Sequence, residues 1–276
     1  MKTLPAFKVA AVQLRCTEDI DANVKRAFAG IREAAKRGAR LIVLPERFLY
    51  PVEGPLLRRS AQSIPGRFTD RLSVLARELH VVLVAGSLLE RIPGSRKFHN
   101  TALVFNETGR LIAKYRKLHL FRLDTSETGA ISEQRFLVAG RRHVVADTSC
   151  GRIGLSICYD LRFPELYRLL AYRRTRVLVV PSAFQRLTGR AHWMTLLRAR
   201  AIENQCYLVA ADLCGSVAGR SFHGHSAIID PWGEVLARAA SRPEAIVAEI
   251  SEDRLREVRR VLPSLADSVR TAGRAR

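Results

Sequence analysis

Three residues in this chain have types and surroundings that could do chemistry. Residues 154–165 read GLSICYDLRFPE, in which a short apolar run delivers Cys158 and Pro164-Glu165 opens a segment of helical character. A thiol at a strand-to-helix turn lies near a helix N-terminus, which lowers its pKa and favours the thiolate nucleophile. The next backbone N–H, that of Tyr159, could help bind an oxyanion, as in a nucleophile elbow. Cys158 fits equally well as a core cysteine closing a strand, because cysteine is among the most buried residue types. Glu46 ends the apolar run LIVLPE directly after Pro45. Partial desolvation there would raise its pKa toward the range of a general base; the plainer reading is a solvated charge at a strand end. Lys117, in KYRKLHLF, could bind a developing oxyanion, or be one more surface lysine beside Lys114 and Arg116.

A histidine partner for the cysteine would have to be His119, His192, His223 or His225, and no local pattern selects one. The pair His223-Gly224-His225 has no carboxylate or cysteine at ligand spacing, so no metal is expected.

The elements that must hold these residues can be read from periodicity. FKVAAVQL (7–14) reads as a strand, followed by an amphipathic helix to about Arg37 that stops at Gly38. ARLIVLPE (39–46) reads as a buried strand, 67–79 as a helix, HVVLVAGSLLE as a strand and NTALVFNETGRLIAKYRK as a hairpin turning at 107–109. The second half repeats this plan, with strands in SCGRIGLSICYD, RVLVVPSAF and CYLVAADL and helices in PELYRLLAYRR and AHWMTLLRARAIENQ. The hairpin HSAIIDPWGEVLARA, the strand AIVAEI and a helix from about Glu252 follow. LIVLPERF and LVVPSAF look alike, each a buried strand ending in proline and then a polar residue. The pattern predicts an α/β fold of two mixed sheets packed face to face with helices outside, in one domain.

Bulk properties exclude several classes. The 276 residues are 47% hydrophobic and 26% charged, as in a globular domain. The five cysteines form no C-x-x-C pair, which argues against a disulfide framework and for a reducing, cytoplasmic setting. Lys8 interrupts any leader-like apolar stretch, so no signal peptide is expected, and no apolar run reaches membrane-spanning length. The net charge of +20 could mark a nucleic-acid binder. Its arginines are spread along the chain, however, and no recognised binding motif accompanies them, so nucleic acid is not expected as a partner.

Taken together, LPERF, YRKLHLF and GLSICYDLRFPE, in the order Glu–Lys–Cys, resemble the nitrilase superfamily of carbon–nitrogen hydrolases. HNTALVF, PSAF, TGRAHWMTLLRARAIENQCY and GHSAIIDPWGEVLA extend the resemblance from about Lys8 to about Leu262. Within it the chain looks most like the small amidases near ω-amidase and deaminated-glutathione amidase, with RARAIENQCY leaning toward the second. The resemblance implies a four-layer α-β-β-α sandwich over residues 7–262, followed by a basic tail (263–276). Cys158 would be the nucleophile, Glu46 the general base, and Lys117 with the Tyr159 N–H the oxyanion site. A second glutamate would orient the lysine, either Glu133 or Glu127. The substrate would be a small carboxamide bearing a carboxylate, cleaved through a cysteine thioester to acid and ammonia, with no cofactor. A homodimer or higher homo-oligomer, in contact through residues 164–173 and 191–205, is implied as well.

For the pocket, Ser182 and Phe184 follow a strand at the same sheet end as Glu46 and Cys158. Arg162 could pair with a substrate carboxylate or form an internal salt bridge to Asp160 or Glu165. His192 and Trp193 could line the pocket or the subunit contact, with Trp193 the better candidate for packing. An N-carbamoyl amino acid hydrolase or a nitrilase would use the same residues, and a catalytically silent binding protein would keep only the scaffold. LPSLADSVRTAGRAR departs from the family pattern at the end of the chain.

Overall fold

The computed structural model describes residues 5–125 and 129–268; Glu127 and the last eight residues of the basic tail lie outside it. Two six-stranded mixed sheets form its centre. In the first, Phe7–Gln13 pairs parallel with Ala39–Val43 and antiparallel with Glu244–Ile250. Val82–Arg91 continues it parallel, and Phe98–Phe105 and Leu111–Arg116 extend it as an antiparallel hairpin. In the second, Val177–Ser182 lies parallel between Gly151–Leu155 and Tyr207–Asp212. Ala227–Ile229 and Val235–Arg238 complete one edge and Val145–Thr148 the other.

Strand alternation builds the layers. Val9, Ala11, Leu41, Val43, Val82 and Val84 face the core shared with the second sheet. Their neighbours Ala10, Val12, Ile42, Leu44 and Leu83 face an outer core, which the helices Ile20–Lys36 and Arg67–Glu78 cover. Side chains alternate faces along a strand, so strands buried on both sides read as unbroken apolar runs. Helix Ile20–Lys36 buries Val24, Ala27, Ile31 and Ala34 at helical spacing. Its N-terminus is capped by Asp19, whose carboxylate accepts from the Ala22 N–H at 2.9 Å. Helices Pro164–Tyr172 and Arg186–Asn204 cover the second sheet.

The two look-alike segments meet. The Glu46 N–H donates to the Ser182 carbonyl (3.3 Å), and the Cys214 N–H to that of Leu14 (2.8 Å). The sheets are therefore tied together where their parallel strands end. The strand read over 39–46 stops at Val43, because Pro45 has no N–H for the ladder and Arg47 turns the chain at φ +43°. Gly86 lets this turn pack, since a Cβ there would lie 1.8 Å from the Leu44 carbonyl oxygen. The helix expected from residue 191 starts earlier, at Arg186. Gly189, a weak helix former, occupies its first half because a Cβ would meet the His223 ring at 2.4 Å. A short helix, Pro55–Ser60, and the hairpin Cys214–Val217/Arg220–His223 add to the expected elements.

One buried carboxylate clamps the hairpin that leads to Lys117. Glu90 accepts from Lys114 Nζ (2.9 Å), Arg116 Nε and Nη2 (2.8 Å each) and Thr101 Oγ1 (2.8 Å). Burial alone would raise its pKa, but these donors outweigh it and hold the carboxyl down at about 2. A depressed folded-state pKa means stability present above the ordinary value and lost as the carboxylate protonates. Wild type should therefore exceed Glu90→Gln in unfolding free energy at neutral pH. The difference should shrink as pH falls from about 4.5 toward about 2. Urea unfolding of both proteins across that range checks this, and a pH-independent difference would refute it.

Candidate active site

Glu46, Lys117, Glu133 and Cys158 converge on one cavity of about 500 Å³. Three local devices deliver them. Glu46 sits in the turn after Ala39–Val43, Lys117 directly follows the strand Leu111–Arg116, and Cys158 opens a single 3₁₀ turn, Cys158–Arg162, after Gly151–Leu155. Glu133 begins another short turn, Glu133–Arg135.

Lys117 is the hub, and it is only 1% exposed. Its Nζ donates to Glu46 Oε1 at 2.8 Å and to Glu133 Oε2 at 2.9 Å. Glu46 also accepts from Asn100 Nδ2 on Oε1 (2.7 Å) and from the Ala183 N–H on Oε2 (3.0 Å). Glu133 is fixed by the Phe121 N–H on Oε2 (2.8 Å) and by Arg47 Nη2 at 3.4 Å from Oε1. Of the two glutamates proposed from sequence for orienting the lysine, Glu133 reaches it; Glu127 is outside the described residues.

Electrostatics set the resting protonation states. Burial opposes the charge on Lys117, but Glu133 and then Glu46 outweigh it and raise its pKa, so it is an ammonium. Burial likewise opposes ionisation of Glu46, yet Lys117 and Arg47 win and hold its pKa below the ordinary value. This reverses the sequence expectation of a raised carboxyl: desolvation is present, but two neighbouring cations exceed it. Cys158 is also reversed. Burial first and the Glu46 carboxylate second push its thiol well above the ordinary value, against the opposing pull of Lys117 and the Ala183 N–H. One 3₁₀ turn separates it from the helix Pro164–Tyr172, so the expected lowering by a helix N-terminus does not prevail. The resting set is thus a neutral thiol beside a carboxylate and an ammonium.

The Cys158 turn is held by Asp160, which sequence reasoning assigned only as a possible salt-bridge partner of Arg162. Its Oδ2 accepts from Tyr115 Oη (2.7 Å) and the Ile157 N–H (2.9 Å). Its Oδ1 accepts from the His119 N–H (3.1 Å) and lies 2.7 Å from His119 Nδ1. This bracing holds Cys158 at φ +48°, a conformation that costs energy for a residue with a Cβ. His119 stacks on Phe163 at 3.6 Å and serves Asp160, not the thiol. Among the described residues, no histidine lines the cavity. Asn100 and Asp160 were the functional residues missed, although both lie inside quoted motifs, HNTALVF and CYDLRF.

The pocket expectations divide. Tyr159, Arg162 and Phe184 line the cavity, with the Arg162 guanidinium 5.2 Å from the Phe184 ring centroid and 5.8 Å from that of Tyr159. Arg162 pairs with neither Asp160 nor Glu165. Ser182 does not line it: its buried hydroxyl donates back to the Val180 carbonyl (3.3 Å), and its carbonyl instead receives the Glu46 N–H. His192 does not line it either, but its Nδ1 lies 3.2 Å from Arg162 Nη1. Trp193 packs, against Phe184, and donates to the His225 carbonyl (2.9 Å). Among the described residues, no helix is long and apolar enough to cross a membrane, and no group of three or more His, Cys, Asp or Glu side chains could hold a metal ion.

The chain resembles known proteins along nearly its whole length. The carbon-nitrogen hydrolase family profile matches residues 8–260. Omega-amidase NIT2 of Homo sapiens is 40% identical over 261 residues, 94% of each chain. The deaminated glutathione amidase of Synechocystis sp. is 38% identical over 267 residues, 95% of this chain and 98% of that one. The crystal structure of Saccharomyces cerevisiae Nit3, a member of branch 10 of the nitrilase superfamily, superposes with a TM-score of 0.85 at 35% identity, covering 94% and 95% of the two chains.

The buried charge set has a direct stability consequence. Removing one partner of a buried pair strands the other charge, at a cost of about 3–5 kcal/mol. Glu133→Ala takes one of two carboxylates from Lys117 and the ion partner from Arg47, so it should lower the unfolding free energy by up to that order; adding Lys117→Met should deepen the loss, because it strands Glu46. Equal stability of wild type and Glu133→Ala in urea would show that water solvates the ammonium.

Proposed function

Because the chain belongs to the carbon–nitrogen hydrolase family and is an amidase, we propose that it works through a Cys158 thioester on a small carboxamide that bears a carboxylate. The observation that carries this reading is the contact of a neutral buried thiol with a carboxylate that Lys117 keeps ionised. Glu46 is a base already in its working state, and the thiol is an acid that needs one.

When an amide carbonyl enters the cavity, Glu46 takes the thiol proton as the sulfur attacks the carbonyl carbon. Negative charge then moves to the carbonyl oxygen, where the Lys117 ammonium and the Tyr159 N–H can stabilise it. Such stabilisation is strong because the site is desolvated and the donors are fixed beforehand. Collapse of the tetrahedral species breaks the C–N bond, and Glu46 passes its proton to the leaving nitrogen. Ammonia, or an amine from a substituted amide, departs and leaves the acyl group on Cys158. Glu46 next deprotonates a water that attacks the thioester, and the proton returns to the sulfur as the acid leaves. Glu133 touches neither reacting atom; it holds Lys117 in place.

Arg162 supports the carboxylate-bearing substrate. It faces the cavity between two aromatic rings and has no acidic partner among the described residues, so a substrate carboxylate can take its fork. ω-Amides of keto acids and deaminated glutathione both fit, in keeping with the names of the relatives. The homodimer through residues 164–173 and 191–205 belongs to the same proposal: Leu169, Tyr172 and Ile202 are large apolar side chains exposed on those segments.

Acid and amine release should be measured from α-ketoglutaramate, deaminated glutathione, a carbamoyl amino acid and a nitrile, with Cys158→Ala alongside. We expect turnover of an amide by wild type alone and a mass increment on Cys158 in rapidly quenched samples. Turnover by Cys158→Ala would overturn the thioester route. The pH profile gives a second check. Glu46 is depressed below its ordinary value of 4.5, and the Cys158 thiol is raised well above 9.0. The plateau of kcat/KM should therefore extend below pH 4.5 on one side and above pH 9 on the other. An acid limb at or above 4.5 would show that Lys117 does not hold the base ionised.

A further inference from the structure

A second cavity, of about 360 Å³, lies beside the catalytic one, and among the described residues Phe222 alone lines both. Its wall carries Arg186, Arg190, His223 and His225 with the hydroxyl-bearing Ser216 and Ser241, and no carboxylate. Both arginines are exposed, so their donors can be reached from solvent. They stand one turn apart at the start of the helix Arg186–Asn204, whose first turn contains no acidic residue. Like charges four residues apart repel, and the positive end of a helix disfavours cations. Among the described residues, neither arginine has an ion pair or a side-chain hydrogen bond that offsets this.

Glycine is a poor helix former, yet Gly189 sits in the first half of that helix, where the His223 ring takes the space of its Cβ. The ring is thereby seated in the same wall as Arg186 and Arg190, with its centroid 4.8 Å from that of His225. Burial, and then His225, Arg238, Arg190 and Arg186, push its pKa down to about 4, so it is uncharged at neutral pH and can donate one N–H. Unpaired cations around an uncharged imidazole make a positive field that an anion relieves. Guanidinium groups offer phosphate oxygens paired donors, and imidazole and hydroxyl groups add single ones. We propose that this cavity is a binding site for a phosphoryl dianion, held between Arg186 and Arg190 with His223 and Ser241 as further donors. Gln185 and Thr188, at the same end of the helix, line the catalytic cavity, so the second site adjoins the reaction without belonging to it. Binding there does not depend on the Cys158 thioester.

The imidazole signals of His223 and His225 report this cavity in NMR titrations of the full chain, since no described histidine lines the catalytic one. At fixed ionic strength and neutral pH, inorganic phosphate should move both signals saturably. Sulfate, a stand-in that keeps its two charges in acid, should raise the His223 pKa above about 4, because a bound anion favours the imidazolium. Losing a charge-assisted contact weakens binding by about a factor of 10 or more. Arg186→Gln combined with Arg190→Gln should therefore raise the phosphate Kd at least ~10-fold. Amide turnover should stay as in wild type, because both side chains are exposed and lie outside the catalytic cavity. Glycerol phosphate bound more tightly than phosphate would name an ester as the occupant, and equal or weaker affinity the free ion; either supports the site. Phosphate that moves neither histidine, or a Kd that the double substitution leaves unchanged, rules the site out. Succinate bound as tightly as phosphate rules out the phosphoryl class.

Discussion

A single ammonium group, that of Lys117, organises this molecule's chemistry. It lies almost wholly out of water, and two carboxylates meet it within 2.9 Å. Each member of the set would be costly alone, and each is acceptable only with the others in place. That mutual dependence reaches far into the fold. Glu46 needs the turn after Ala39–Val43 together with the Asn100 amide and the Ala183 N–H. Lys117 needs the hairpin that Glu90 clamps, and Glu133 needs the Phe121 N–H.

The two sheets make this meeting possible. Parallel strands present their C-terminal ends in common, and the ends from both sheets are tied by the Glu46–Ser182 and Leu14–Cys214 bonds. Glu46 therefore comes from one sheet and Cys158 from the other. Face-to-face packing fixes their separation, because the shared core between them is filled with close-packed apolar side chains.

Much of this was legible in the sequence, and the limits have physical causes. Unbroken apolar runs announced strands buried on both faces, and the likeness of LIVLPERF to LVVPSAF pointed to two packed sheets; that the two segments also hydrogen-bond to each other is seen only in the structure. The motifs around Glu46, Lys117 and Cys158 picked out side chains that the fold brings to one cavity. What failed was any inference that depended on the sum of opposing fields. Desolvation was rightly assigned to Glu46, but the cations that outweigh it come from Lys117, 71 positions away in the chain, and from its neighbour Arg47. Ser182 was placed at the correct sheet end, yet it contributes its carbonyl and not its hydroxyl. His192 lies one helical turn beyond the cavity-lining Thr188 and reaches only the arginine that lines the wall. Asp160 was visible two residues after the cysteine, but Tyr115 and His119, which supply three of its four contacts, lie 45 and 41 positions away in the chain.

The protonated state of the Cys158 thiol has a consequence beyond turnover. Peroxide and electrophiles attack thiolates, and the first rung of the sulfur oxidation ladder is climbed by that form. In the mechanism proposed above, the anion arises only as a carbonyl carbon arrives to consume it. The other four cysteines are buried, with pKa values of about 11 to 12. On that mechanism the five cysteine thiols stay protonated between catalytic cycles, and substrate occupancy more than ambient pH would set their exposure to oxidants.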